Sequence, residues 1–210
     1  MRVLIFHGYM LRGTGSNIYN ASLAPALARL GHEVHLLCQD REVRLPGVEI
    51  HNPEIHGLLP VYVKDPYAGF EVKSFPELSE AELERYLDAN VAAVREVAER
   101  AGGIDAALAN HLVMGPAILS RAGVAPFAAK VHGSALEYTV KPHLKRFGPY
   151  AEEGMETASG ILVGSGHTAN SLWAALPNVP KLKEKTRLGP PGVDTNLFSP
   201  AGGAGGGRAA

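Results

Sequence analysis

Short apolar runs alternate along this chain with longer stretches whose apolar residues recur at helical spacing. Such a chain buries both kinds of element by aligning parallel strands and covering both faces of the sheet with helices. Val3 to Phe6 is the first run and ends in His7-Gly8. A polar loop, Arg12-Gly13-Thr14-Gly15-Ser16-Asn17, leads into a predicted helix with Ile18, Leu23, Leu27 and Leu30 as its stripe. Pro25 is expected to kink that helix and Gly31 to cap it. Val34 to Cys38 reads as a second strand. Short strands are expected around Val48–His51 and Pro60–Val63, inside a proline-rich stretch from Arg41 to Pro76. Ser79 and Glu82 form a capping box ahead of the clearest helix, whose stripe runs from Leu83 through Tyr86, Leu87, Val91 and Val94 to Val97. Ala106–Ala109, Phe127–Val131 and Ile161–Val163 read as further strands. Helices are expected from Gly115 to Gly123, from Pro142 to Ala158 with a break at Gly148-Pro149, and from Thr168 to Leu176. The reading is a doubly wound α/β domain with a parallel, Rossmann-like sheet over residues 1–199. A flexible Gly/Ala-rich linker or tail follows at 200–210.

Composition narrows the partners. The 210 residues carry 20 Lys+Arg against 21 Asp+Glu, a net charge of −1, which removes the electrostatic argument for a nucleic-acid partner. A single cysteine, Cys38, forms neither an internal disulfide nor a thiolate metal cage; it reads as a small buried hydrophobe in a reducing, cytoplasmic compartment. No apolar stretch approaches a membrane span, so membrane contact is peripheral at most. The run Lys141 to Arg146 suits a phosphate or an anionic lipid, but such a run is more often a solvated helix face.

In open α/β sheets, ligands sit beyond the carboxyl ends of the strands. Three predicted strands lead into histidine at that end: His7, His111 and His132. Gly8, Gly13, Gly15, Gly133, Gly164 and Gly166 fall on the same rim, where glycine permits close backbone approach and helix N-termini offer free N–H groups. A negatively charged, hydroxyl-rich ligand suits such a rim. Two alternatives stay open. A dinucleotide fold wants Gly-x-Gly-x-x-Gly; counting from Gly13 and Gly15, Ile18 occupies the third position, although Asp40 follows the second strand where a ribose-binding acid would sit. A three-histidine metal site is disfavoured because no acidic residue flanks any of the three, and none is expected.

Taken in order, these segments resemble the N-terminal domain of the GT-B-fold retaining glycosyltransferases of family 4. The resemblance is carried by the loop at Gly13-Thr14-Gly15, by Leu27-Ala28-Arg29-Leu30-Gly31-His32-Glu33-Val34, and by Asn110-His111. It continues through Lys130-Val131-His132-Gly133-Ser134 with Glu137-Tyr138, Val163-Gly164-Ser165, and Pro191-Gly192-Val193-Asp194 with Phe198 and Pro200. It implies the acceptor-binding half of an enzyme that moves a sugar from a nucleotide-diphosphate donor to a hydroxyl acceptor. Nucleotide sugar is then a substrate, and no cofactor is required. By position, His132 is the catalytic residue; Gly13, Thr14, Gly15, Gly133 and Ser165 face the donor diphosphate and cleft; His7, His111 and Glu137 lie on the acceptor side. The family's second domain carries a basic pair and a Glu-x7-Glu motif, and this sequence has no two glutamates eight positions apart. The expectation is a half that is inactive until a donor-binding domain joins it in cis or trans. The other reading is a noncatalytic module that binds a sugar or a phosphorylated metabolite.

Overall fold

The computed structural model describes residues 1–195 and 198, so the expected linker at 200–210 lies outside the described residues. The chain runs β1 (Arg2–Phe6), α1 (Gly15–Arg29), β2 (Glu33–Leu37), β3 (Val48–His51), β4 (Leu58–Val61), β5 (Glu71–Ser74), α2 (Glu80–Arg100) and β6 (Ala106–Asn110). It continues with α3 (Gly115–Ala122), β7 (Phe127–Val131), α4 (Leu144–Thr157), β8 (Gly160–Val163), α5 (Gly166–Ala175), α6 (Leu182–Lys185) and β9 (Thr186–Leu188). Seven strands form one sheet in the order β3-β2-β1-β6-β7-β8-β9, every neighbouring pair parallel. The chain winds outward through β2 and β3, then crosses to β6 and winds the other way. The switch point therefore lies between β1 and β6, where an open sheet leaves a crevice.

Alternation along the strands explains the two layers. Val3, Ile5, Val34 and Leu36 face a small core under α1, whereas Leu4, Phe6 and Leu37 face the larger core shared with α2, α3 and α4. The capping box forms as expected: the Glu82 main-chain N–H donates to Ser79 Oγ at 3.3 Å, and the Ser79 N–H donates to Glu82 Oε2 at 2.8 Å. Cys38 is buried, and burial pushes its thiol up to about 12. Among the described residues, no helix is long and apolar enough to cross a membrane.

Several elements differ from the sequence reading. Helix α1 starts at Gly15 and runs unbroken through Pro25; Ile18 and Leu30 are exposed, while Asn17, Asn20, Ala24 and Pro25 face inward. Polar side chains turn toward the sheet because buried partners await them there, as described below. Helix α4 likewise runs through Gly148-Pro149, since burial of Phe147, Ala151 and Met155 outweighs the one lost backbone bond. The second and fourth strands each begin earlier than the sequence suggests, at Glu33 and Leu58. Strands β5 and β9 and the π-helical turn at Ala135–Val140 carry no apolar run that would reveal them. The basic run at 141–146 is partly consumed by the fold: Lys141 pairs with Glu137, and Arg146 donates to the carbonyls of Pro76 and Leu78 at 3.0 and 2.6 Å.

Helices α3 and α4 meet at Gly154. A methyl group there would lie 2.4 Å from Pro116 Cβ and 2.9 Å from the Ala117 nitrogen. Gly154→Ala should cost about 1–3 kcal/mol by overpacking, read as a lower urea midpoint. Gly160→Ala, which meets nothing within 4 Å, should be nearly neutral.

Candidate functional site

Adjacent parallel strands β1, β6 and β7 end at the same level, so the residues that follow them come together. His7 and His111 stack with ring centroids 5.8 Å apart, and His111 and His132 lie 4.8 Å apart. The three predicted histidines therefore form one row across the switch point. Their exposure differs, however. His7 and His111 are buried under the rim and only His132 is partly open.

A one-way chain of hydrogen bonds joins this row to the loop after β1. Nε2–H of His132 donates to Asn110 Oδ1 at 3.0 Å, and Asn110 Nδ2 donates to Asn20 Oδ1 at 2.9 Å. Asn20 Nδ2 donates to His7 Nδ1 at 3.0 Å, and His7 Nε2–H reaches Asn17 Oδ1 at 2.9 Å and the Met10 carbonyl at 3.0 Å. Asn17 Nδ2 then donates to the Arg12 carbonyl at 2.6 Å. Each amide is fixed by a main-chain carbonyl: Phe6 for Asn110, Ser16 for Asn20 and Arg12 for Asn17. The direction of every link follows, and with it both tautomers. His7 and His132 carry their protons on Nε2, which leaves Nδ1 of His132 as the ring atom with a free lone pair. Asn17, Asn20 and Asn110 thus join the histidine row as parts of the candidate site. The sequence signal for the first two was an inward-facing pair three residues apart, hidden in a helix read by its leucines.

Burial governs the electrostatics. Desolvation, opposed by the bonds to Asn17 and Met10, holds His7 at about 4. Desolvation, with His7 and Lys130 adding to it, holds His132 at about 3. His111 is driven well below the usual imidazole range by burial first, then by His132 and His7. Its two ring nitrogens have no partner, and it sits against Tyr62 at 4.5 Å and Tyr9 at 5.2 Å in the left-handed backbone region at φ 69°. All three rings are neutral at pH 7. Lys130, on β7, is buried; its Nζ donates to the Gly189 carbonyl and lies 5.4 Å from the Tyr19 ring. Among the described residues no carboxylate pairs with it, so it brings positive charge beside His132.

The remaining candidates occupy the same rim. Gly13 takes φ 94°, a conformation that favours glycine, and Thr14 caps α1 without a side-chain bond to its free N–H groups. Nothing lies within 4 Å of a methyl group placed at Gly15 or Gly133. Ser165 caps α5, accepting from the Thr168 N–H at 3.1 Å. Glu137 is held by Lys141 at 2.6 Å and Ser171 at 2.5 Å, which keeps its carboxyl below the usual range. Asp40 is fully buried and accepts the N–H groups of Leu11, Glu42 and Val43, a loop latch. A cavity of about 620 Å³ opens beyond β1 and β2, lined by Met10, Arg12, Gln39, Asp40, Tyr67 and Phe70. Its wall comes from the proline-rich stretch, which folds into the β4–β5 pair and which the sequence left least defined. Met10 joins the cavity to the histidine row through its carbonyl bond to His7.

A family profile described as Glycosyltransferase Family 4 matches residues 13–197. No curated protein matches the sequence. Among solved structures the chain is similar to the apo UGT2 of Phytolacca americana, at 12% identity and TM-score 0.50, covering 94% of this chain and 53% of that one. It is also similar to a protein from Listeria monocytogenes assigned as a UDP-N-acetylglucosamine 2-epimerase, at 12% identity and TM-score 0.50, covering 82% and 42%. A structure of TcCGT1 in complex with UDP matches at 14% identity and TM-score 0.49, covering 97% and 53%. The chain spans about half the length of these structures, and at such identities the likeness is one of fold.

The neutral row makes stability depend on pH. In the unfolded chain the histidines titrate near 6.5, whereas folded His7 and His132 stay unprotonated down to about 4 and about 3. The unfolded state thus gains protons first as pH falls. Stability is full above about pH 6.5 and declines below it, by up to about 1.4 kcal/mol per pH unit for each histidine. Urea midpoints at pH 7, 6 and 5 should fall accordingly, and His132→Gln should flatten the slope.

Proposed function

The chain belongs to glycosyltransferase family 4, and from that premise we propose that it is the acceptor-binding half of an enzyme that transfers a sugar from a nucleotide-diphosphate donor to a hydroxyl acceptor. One observation carries the reading: the directed hydrogen-bond chain that runs from His132 to the Arg12 carbonyl, at the entry of the Gly13-Thr14-Gly15 loop. It holds His132 and the Gly13-Thr14-Gly15 loop in one fixed relation, which supports a shared site in which the imidazole meets the transferred sugar and the loop meets the diphosphate.

The division of roles follows from the chemistry of each group. The donor diphosphate takes the free N–H groups at the start of α1, with Gly13 and Gly15 allowing close approach and Lys130 adding positive charge nearby. His132 is neutral and engages its Nε2–H as a hydrogen-bond donor to Asn110 Oδ1, so its Nδ1 accepts a hydrogen bond from a sugar hydroxyl and it does not act as an acid. Gly133 leaves room for that sugar, and Ser165 faces the cleft from the start of α5. His7, His111 and Glu137 shape the acceptor side, and the cavity beyond β1 and β2 receives the acceptor itself. In the reaction the bond from the sugar to the diphosphate breaks, its electron pair leaving with the phosphate. The acceptor oxygen forms the new glycosidic bond and gives up its proton to the departing phosphate oxygen, directly or through water. The departing charge needs fixed cations or N–H donors, and this half supplies part of them. The rest comes from a donor-binding domain joined in cis or trans.

The purified 210-residue chain should show no sugar transfer from UDP- or GDP-sugars. Turnover by this chain alone would refute the half reading. With the donor-binding domain supplied, His132→Ala should lower kcat about a hundredfold with a smaller change in KM. Asn110→Ala should lower kcat in the same direction by misplacing the imidazole. Titration with UDP should shift amide signals at Gly13, Gly15 and Gly133, while NAD should not; the reverse pattern would favour a dinucleotide enzyme.

A further inference from the structure

On the edge of the sheet, away from the histidine row, strands β2 and β3 each carry the pattern Glu-x-His: Glu33-Val34-His35 and Glu49-Ile50-His51. The strands are parallel with His35 opposite Glu49, so the period of two brings all four side chains to one face. They enclose a cavity of about 190 Å³ with Val97, Arg100 and Ala101 at the end of α2. His35 Nδ1 lies 3.1 Å from His51 Nε2 and 3.5 Å from Glu49 Oε2, and His51 Nε2 lies 3.7 Å from Glu49 Oε1. Four-coordinate zinc with bonds of about 2.0–2.1 Å sets its ligands about 3.3–3.4 Å apart. The three residues stand around that spacing, at 3.1–3.7 Å, with a different Glu49 oxygen toward each imidazole.

The geometry points to a divalent-metal site, of the kind zinc takes, formed by His35 Nδ1, His51 Nε2 and the Glu49 carboxylate with solvent in the fourth position. The surroundings are arranged for it. His35 is buried and its Nε2–H donates to Glu33 Oε1 at 3.1 Å, so Nδ1 already presents a lone pair. A carboxylate behind a ligating imidazole fixes its tautomer and raises its basicity. Without metal, Arg100 Nη2 donates to His51 Nδ1 at 3.1 Å, and the His51 proton sits on Nε2 facing His35. Binding moves that proton to Nδ1 and displaces Arg100, which keeps Glu96 within 3.6 Å. Two histidines and a carboxylate suit zinc over the harder cations. Such an ion ties edge strand β3 to β2, and it stands independently of the sugar-transfer reading.

The test is titration of the untagged chain with Co2+, followed by displacement with Zn2+. The expected result is saturable one-to-one binding with the strong visible absorption of a four-coordinate site, and a higher Tm with Zn2+. Glu49→Gln, at an exposed position, and His51→Asn, which keeps a polar group at a largely buried one, should each weaken binding about tenfold or more, with Glu49→Gln melting as the parent does without metal. Arg100→Ala should tighten it, and His132→Ala should leave it unchanged. The proposal is overturned by the absence of saturable binding, by weak six-coordinate absorption, or by affinity that survives both ligand substitutions. Loss of binding in His132→Ala, or affinity not raised in Arg100→Ala, overturns it equally.

Discussion

Burying amides and imidazoles at the ends of strands costs about 1–3 kcal/mol for each polar group left without a partner, a cost that His111 bears and its neighbours avoid. Here three asparagines and two histidines do so by a chain with a single direction, each link oriented by a backbone carbonyl. The arrangement couples α1, β1, β6 and β7 through side chains rather than through apolar contact alone. Glycine at position 115 belongs to the same packing: a methyl group there would come within 2.4 Å of the Asn110 carbonyl oxygen and 3.2 Å of the Phe6 ring. The polar chain and the close backbone approach thus reinforce each other at the switch point.

Burial also decides what these histidines can do. Rings held at about 4 and about 3 are lone-pair acceptors and packing surfaces at neutral pH, never imidazolium. Positive charge at the rim comes instead from Lys130, whose ammonium meets a carbonyl and an aromatic face rather than a carboxylate. A cation satisfied in that way retains its attraction for an incoming anion, while neutral rings beside it add no repulsion toward hydroxyl groups. His111, unpartnered between two tyrosines and two histidines, completes an aromatic floor beneath the crevice.

Much of the architecture was legible along the chain. Runs such as Val3–Phe6 and Phe127–Val131 have the length and continuity of buried parallel strands, and the Ser79–Glu82 box marks its helix without ambiguity. The weaker readings share a cause. In α1 the stripe from Ile18 to Leu30 suggested the inward face. Leu23 and Leu27 do pack on the small core, but Ile18 and Leu30 are exposed and Asn17 and Asn20 take buried positions, because the value of a buried amide depends on partners ten, thirteen or ninety residues away. Pro25 and Gly148-Pro149 suggested interruptions that packing overrides. Strands β5 and β9 exist because a neighbour offers them a hydrogen-bonded edge, not because Glu71–Ser74 or Thr186–Leu188 is apolar.

The amino-acid order by itself determined the parallel sheet, its winding and the placement of His7, His111 and His132 on one rim, since strand length, helical period and capping are local properties. Which of those rings is buried, which nitrogen holds a proton, and how Asn17, Asn20 and Asn110 bind them together were decided by the tertiary structure. Dielectric environment and hydrogen-bond direction depend on what surrounds a group in space. No window of sequence contains that information until the strands lie side by side.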